Sequence, residues 1–144
     1  MPQNPYLSIV IPLFNEEEVL PKLLAELLPV CNSLQITTDN GRINADKISE
    51  NQINDQRKSI SYEVVFIDDG STDRTPLLLK EAAEKDSNIK VLRFSRNFGH
   101  QAAFNAGIDF AGGDMVVTMD GDLQHPPAVI LEFVRYAKEG HDII

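Results

Sequence analysis

The hydrophobic positions along the chain form short continuous apolar runs separated by stretches with helical spacing. The runs at 7–14, 62–70, 89–95 and 115–122 are typical of strands, and the first is apolar enough to be covered on both faces. Helical spacing predicts helices at 19–28, 76–86, 99–111 and 127–140. This alternation predicts an α/β fold with an open, mainly parallel sheet, helices on both faces and the first strand in the centre.

The boundaries of these elements follow from proline, glycine and capping residues. Pro29 is expected to end the first helix, and Thr75 with Pro76 is expected to form the N-cap and first turn of the second. Gly112 with Gly113, and Gly140 later on, are expected to follow the last two helices.

Two segments fall outside the regular alternation. The stretch 34–61 is polar and contains no aromatic residue, so it is expected to be an inserted loop with a weak helix around 45–56. The final "HDII", 141–144, is expected to begin a fifth strand whose open edge favours self-association. We expect one domain over 1–144 that is incomplete at its C-terminus.

Composition narrows the possible partners. The chain has 13 basic and 22 acidic residues and a net charge of -9, which repels nucleic acid and anionic lipid surfaces at long range. Cys31 is the only cysteine, so an internal disulfide and a thiolate metal cluster are excluded. No apolar run approaches the ~18 residues that a membrane span requires. The expectation is a soluble cytoplasmic chain without a transmembrane segment, with a peripheral position at the membrane face left open.

Acidic and polar residues follow each of the four predicted strands. Because ligands of parallel sheets bind beyond the carboxyl ends of the strands, where the strand order reverses, these residues are expected to share one crevice. Carboxylates gathered there repel one another unless a cation is shared between them, and oxygen ligands favour Mg²⁺ or Mn²⁺. The alternative is that the acids only form turns and cap helices. The residues concerned are Asn15 and Glu16, Asp68, Asp69 and Gly70, Ser95, Arg96 and Asn97, and Asp120, Gly121 and Asp122.

The remaining reactive residues carry little signal. His100, His125 and His141 lack metal-ligand spacing, so a capping, core or surface role is expected for each. No Ser, His and Asp set and no Cys and His pair is placed for nucleophilic catalysis.

Four segments resemble a known family: "SIVIPLFNEEE", "VVFIDDGSTDRT", "SRNFGHQAAFNAG" and "GDMVVTMDGDLQHPP". In this order they are similar to the motifs of family-2 glycosyltransferases with the GT-A fold. Within that family they look most like dolichyl-phosphate mannosyltransferases and bacterial polyprenyl-phosphate glycosyltransferases. The resemblance covers nearly the whole chain except 34–61.

The resemblance implies roles for particular residues. It implies catalytic roles for Asp120 and Asp122 of the D-x-D motif, and Mg²⁺ or Mn²⁺ held by Asp122 and Gln124. Asp69 would accept a hydrogen bond from a ring N–H of the base, and Arg96 would contact phosphates or acceptor, with a structural salt bridge as its alternative. The implied nucleotide-sugar contacts are Pro12, Phe14, Glu16, Ile67, Asp69, Arg96, Asp120 and Gly121.

The resemblance also implies substrates and a mechanism. The donor would be a UDP- or GDP-linked sugar and the acceptor a dolichyl or undecaprenyl phosphate, whose anionic oxygen needs no general base. In-line attack would invert the anomeric centre. Family domains run well past the D-x-D motif, which implies that either the chain is truncated, or a homo-oligomer or a partner supplies the rest.

Three other functions compete with this interpretation. A non-catalytic nucleotide-sugar-binding module or partner-dependent subunit would keep the same fold. A haloacid-dehalogenase-like phosphatase also places D-x-D after an apolar strand, but Gln124 stands where Thr or Val is usual and the later motifs have no room. A dinucleotide-binding fold is disfavoured because no G-x-G-x-x-G follows the first strand.

Overall fold

The architecture is an alternation of four strands and four helices. It is seen in a computed structural model of the chain that describes residues 4–34 and 60–143. The elements are β1 (Leu7–Leu13), α1 (Leu20–Leu34), β2 (Tyr62–Asp68), α2 (Thr75–Lys85), β3 (Ile89–Arg93), α3 (His100–Phe110), β4 (Met115–Thr118) and α4 (Val129–Lys138).

The four strands form one parallel sheet. Their order is β3-β2-β1-β4, and all three neighbouring pairs run parallel. Every residue of β1 and β2 is buried, and for β1 the continuous apolar run predicted this. The chain builds outward from β1 through β2 to β3 and then returns to the other side of β1 for β4. The strand order therefore reverses between β1 and β4, where a ligand crevice is expected.

Helices cover both faces of the sheet, which confirms the predicted α/β fold. One face of β1 and β2 joins the main core with α1, α2 and α4. The other face contributes Val10, Val65 and Ile67 to a smaller cluster with Ala103 of α3. An added Cβ on Gly107 would lie 2.4 Å from Val10 Cγ1 and 2.5 Å from Ile67 Cδ1, so this glycine lets α3 approach the sheet closely.

The structure corrects the predicted end of α1 at Pro29. The helix continues through this proline to Leu34, and Pro29 is exposed. Leu27, Cys31 and Leu34 continue the buried stripe on the opposite side of the helix. Their burial offsets the one backbone hydrogen bond that proline cannot donate.

The start of α2 and the chain terminus also differ from prediction. Thr75 lies inside α2, and the cap position is Arg74, whose own side chain makes no capping hydrogen bond. The Thr75 amide donates to Asp73 Oδ1 at 2.9 Å. The Thr75 hydroxyl instead accepts a hydrogen bond from the Glu16 amide at 2.9 Å. Residues 141–143 form no strand, so the predicted fifth strand is absent from the described part of "HDII".

Two expectations concern segments rather than the sheet. Most of the inserted loop 34–61, including the weak helix at 45–56, lies outside the described residues. Among the helices that are described, none is both long and apolar enough to cross a membrane.

Candidate functional site

A pocket of about 450 Å³ opens at the point where the strand order reverses. Its volume lies within the roughly 300–1,000 Å³ typical of small-molecule sites. The lining comes from the carboxyl ends of β1, β2 and β4 and from the start of α3. It consists of Pro12, Leu13, Phe14, Glu16, Asp69, Asn97, Gly99, His100, Ala103, Asp120, Gly121 and Asp122.

Two loops hold the β1 side of this pocket by hydrogen bonds to each other. Asn15 adopts a positive φ of 51°, and its Oδ1 accepts the Thr72 amide at 2.8 Å. The Asn15 amide donates to Ser71 Oγ at 2.9 Å, and the Glu17 amide donates to Asp73 Oδ2 at 3.2 Å. These bonds fix the loop that carries Phe14 and Glu16.

The carboxylate of Glu16 lies in an acidic environment. Burial raises its pKa above the ordinary value, and the charges of Asp122 and Asp73 raise it further. The repulsion by Asp122 shows that the ends of β1 and β4 bring carboxylates near one another in this pocket.

Asp68 and Asp69 are adjacent in sequence but have different environments. The Asp68 carboxylate is fully buried outside the pocket, where Oδ1 accepts the Ser71 amide at 2.9 Å. Its Oδ2 accepts no hydrogen bond but lies 3.3 Å from Arg93 Nε, and this ion pair balances its charge. Asp68 therefore does not join the crevice, contrary to the expectation for the acids after β2.

Asp69 lines the pocket and also shapes the turn before α3. Its two oxygens accept the amides of Phe98 at 2.7 Å and of Gly99 at 3.1 Å, and the residue is only 3 % exposed. Each oxygen keeps a second lone pair that a ligand N–H can use. Asp69 thus has a structural contact for each oxygen and retains capacity for the predicted contact with a base.

The two aspartates of the D-x-D segment differ in their surroundings. Asp120 is partly buried, and its Oδ1 lies 3.4 Å from His100 Nε2. Asp122 is exposed, and its Oδ1 accepts the Gln124 amide at 3.1 Å across Leu123, which has a positive φ of 62°. Gly121 is buried, and a Cβ there would lie 2.2 Å from Leu13 Cδ2, so a larger residue would have to displace the Leu13 side chain.

Three residues that the resemblance assigned to the site do not line the pocket. Ile67 is fully buried in the cluster beneath α3. The Arg96 guanidinium lies 4.1 Å from the centre of the Phe98 ring and forms no ion pair with any described residue, so its alternative role as a salt bridge is not seen. The Gln124 side chain is exposed beyond the lining. Of the residues expected in the crevice because they follow a strand, the following also lie outside the lining: Asn15, Gly70 and Ser95.

Asn97 lines the pocket, where the residues after the predicted third strand were expected. Sequence reasoning missed four other lining residues: Leu13, Gly99, His100 and Ala103. A usable signal existed for His100. It is the first residue of a helix that follows a strand, which places it at the carboxyl edge of a parallel sheet.

The oxygen donors of the pocket suit a hard divalent cation, although the ligands are not preassembled. No set of three His, Cys, Asp or Glu side chains among residues 4–34 and 60–143 is gathered for a metal. Mg²⁺ commonly binds through one or two carboxylates and takes its other ligands from water and substrate phosphates. The exposed carboxylate of Asp122 fits such a partial ligand set, together with Glu16, whose pKa is raised in part by the charge of Asp122.

Comparison with known protein families decides the identity of the chain. The sequence model described as Glycosyl transferase family 2 matches residues 50–144, about two-thirds of the chain. The chain belongs to glycosyl transferase family 2. This membership overturns the dehalogenase-like alternative, because the D-x-D segment falls inside the matched range.

Curated relatives of this family-2 chain include transferases. It is 38 % identical over 137 residues to YkcC of Bacillus subtilis, named an uncharacterized glycosyltransferase. It is 36 % identical over 138 residues to the undecaprenyl-phosphate 4-deoxy-4-formamido-L-arabinose transferase of Proteus mirabilis. Each match covers 95 % of this chain but 35 % of the relative. The chain therefore spans about a third of their length.

Solved structures share the fold of this family-2 chain at low identity. S. aureus TarS 1-349 in complex with UDP-GlcNAc aligns with a TM-score of 0.62 and 22 % identity, covering 94 % of this chain and 32 % of TarS. The mannosyltransferase PcManGT of Pyrobaculum calidifontis, in complex with GDP-Man and Mn²⁺, aligns with a TM-score of 0.58 and 21 % identity, covering 90 % and 31 %. These likenesses confirm the fold.

Proposed function

We propose that this family-2 chain forms the donor half of a glycosyltransferase that binds a nucleoside diphosphate sugar in the pocket between β1 and β4. The observation that carries the proposal is the convergence of Glu16, Asp69, Asp120 and Asp122 on one pocket at the reversal of strand order. Solved structures of the same fold hold UDP-GlcNAc or GDP-Man, which supports this ligand class.

The nucleotide would lie along the β1 side of the pocket. Phe14 is 44 % exposed and lines the pocket, as does Pro12, and the Phe14 ring would contact the base. The free lone pairs of Asp69 would accept a ring N–H of the base. Arg96 stays a proposed phosphate or acceptor contact that requires its guanidinium to leave Phe98.

A divalent Mg²⁺ or Mn²⁺ would be held by Asp122, with Gln124 as a further oxygen donor and Asp120 toward the donor sugar. The bound metal supplies charge neutralisation for the leaving diphosphate. With that charge neutralised, Asp122 would lie close to the donor phosphates even though the chain carries a net charge of -9. The PcManGT structure with Mn²⁺ supports metal use in this fold.

The proposed acceptor is a polyprenyl phosphate, with inversion at the anomeric carbon. The name of the Proteus mirabilis relative, an undecaprenyl-phosphate transferase, supports this acceptor class. A phosphate oxygen is already anionic, so Asp120 and Asp122 would bind and orient the donor rather than remove a proton from the acceptor.

Thermal unfolding tests the donor site directly. The chain is heated with Mn²⁺ plus UDP, GDP or their glucose and mannose conjugates, and the variants Asp122→Ala and Asp109→Ala are compared with it. Asp109 is an exposed acid of α3 outside the pocket, so its removal controls for the change in net charge. A ligand at a hundred times its Kd adds about 2.7 kcal/mol and raises the midpoint by several degrees.

The results separate the possible functions. A shift that needs metal, survives Asp109→Ala and disappears in Asp122→Ala supports the donor site and identifies the base. Absence of any shift contradicts the proposal. Donor binding without transfer to an added lipid phosphate would support a binding module in place of an enzyme.

A further inference from the structure

His100 occupies a fixed place at the edge of the donor pocket. It is the first residue of α3, directly after Gly99, whose φ of 100° turns the chain into the helix. The imidazole packs edge-on against Phe104, with ring centres 4.5 Å apart at 90°. Phe104 in turn packs on the cluster between α3 and the sheet, so the ring of His100 contacts a side chain that is itself held by the core.

The same imidazole contacts the first aspartate of the D-x-D segment. Nε2 lies 3.4 Å from Oδ1 of Asp120, with the two side chains 62 % and 47 % exposed. His100 is the only side chain that forms an ion-pair contact with Asp120 among the residues that the structure describes. The backbone that leads into His100 is held by Asp69 through the amides of Phe98 and Gly99. The ends of β2 and β4 are thereby connected through the start of α3.

The charges of the residues that line the pocket indicate what this contact does. Among the described residues that line the pocket, four carry carboxylates and only His100 has a basic side chain. Repulsion from the other carboxylates favours orientations of Asp120 that turn away from the pocket. A basic ring whose Nε2 lies 3.4 Å from Oδ1 opposes that tendency and keeps the carboxylate in place before the donor arrives, which lowers the cost of binding.

We propose that His100 is a positioning residue of the donor site, which orients the Asp120 carboxylate by donating from Nε2. This inference rests on the proposed function, since it assigns Asp120 to donor binding. The donor atom matters more than the aromatic ring. A Gln amide nitrogen reaches about as far as Nε2, whereas an Asn amide reaches only as far as Nδ1.

Binding of UDP or GDP with Mn²⁺, whichever the chain prefers, is measured by calorimetry for His100→Gln, His100→Asn and His100→Ala. We expect His100→Gln to stay within about twofold of the parent chain, and the other two to bind about fivefold more weakly, as for loss of one part-exposed polar contact. Gln101→Ala, an exposed change in the same turn, controls for helix effects and should bind like the parent.

A second measurement examines the pair without any ligand. Proton–nitrogen correlation spectra of the ring should show the proton on Nε2 of His100 in the parent chain, and Asp120→Ala should change that signal. A ring packed on Phe104 for structural reasons alone would respond to neither Asp120→Ala nor the choice between Gln and Asn.

The outcomes are distinct. Equal binding by all three His100 variants, or equal weakening in His100→Gln and His100→Ala, overturns the positioning role while leaving the donor site intact. An unchanged ring signal in Asp120→Ala also overturns it. If the parent chain binds no nucleotide with metal, the proposed function fails, and the positioning role fails with it.

Discussion

Substitution of Gly70 by alanine should disturb both stability and the donor site. Gly70 follows β2 with a φ of +74°, a conformation that costs alanine about 1 kcal/mol. An added Cβ would lie 2.2 Å from the carbonyl carbon of Arg96 and 2.4 Å from the amide nitrogen of Asn97. These are backbone atoms, so the turn before α3 must move as a unit.

The magnitude follows from adding the two effects. Overpacking against atoms that cannot rotate away costs about 2 kcal/mol, which gives about 3 kcal/mol with the conformational strain. For a domain of this size that loss lowers the midpoint of thermal unfolding by roughly 10 °C. The displaced turn also carries the amides that Asp69 binds, so nucleotide binding should weaken as well.

Urea unfolding of Gly70→Ala beside Gly140→Ala separates the two contributions. Gly140 has a φ of +95°, but an added Cβ there meets nothing within 4 Å, so only the conformational cost of about 1 kcal/mol applies. Equal losses of unfolding free energy in the two variants would refute the steric argument. A loss in Gly70→Ala at least twice that of the control would support it.

Glu16 and Cys31 both have raised pKa values, and each shift has a measurable consequence. Burial first, and the charges of Asp122 and Asp73 next, raise the pKa of Glu16, so its contribution to stability is present at acid pH and is lost as the pH rises through that raised pKa. Glu16→Gln should therefore stabilise the ligand-free chain at pH 7 by about 0.5 kcal/mol and lose this advantage in acid. The variant should also bind donor with metal more weakly. A pH series of urea midpoints and calorimetry check these results, and equal stabilisation at every pH would contradict the argument. Burial, with the nearby Asp86, raises the pKa of the Cys31 thiol to about 12. A thiol reagent at pH 8 should therefore label Cys31 only as the chain unfolds. Rapid labelling of the folded chain would disprove this burial.

Much of the fold could be read from the sequence because burial constrains composition locally. A strand covered on both faces is apolar at most positions, and the runs that begin at Leu7 and Tyr62 show this without reference to the rest of the chain. The polar exceptions near their starts, Ser8 and Glu63, are hydrogen-bonded to each other at 2.6 Å. The alternation of strands and helices then leaves few topologies, and the parallel sheet with helices on both faces is one of them. The D-x-D segment could be placed at the sheet edge for the same reason.

What the sequence could not determine depends on partners far away along the chain. Pro29 stays in α1 because Cys31 and Leu34 beyond it gain burial against other elements. Thr75 binds the Glu16 amide, 59 residues away, instead of capping its own helix. Such contacts compete with local preferences of similar size, so only packing decides which one forms.

The candidate site shows the same division. Residue order alone shows which strand ends carry acids and hence where a pocket is expected. Tertiary structure decided that Asp69 enters the pocket while Asp68 pairs with Arg93, and that His100 reaches Asp120. The physical reason is that a side chain's direction and its partners depend on how separate elements approach one another, and residue order does not encode that approach locally.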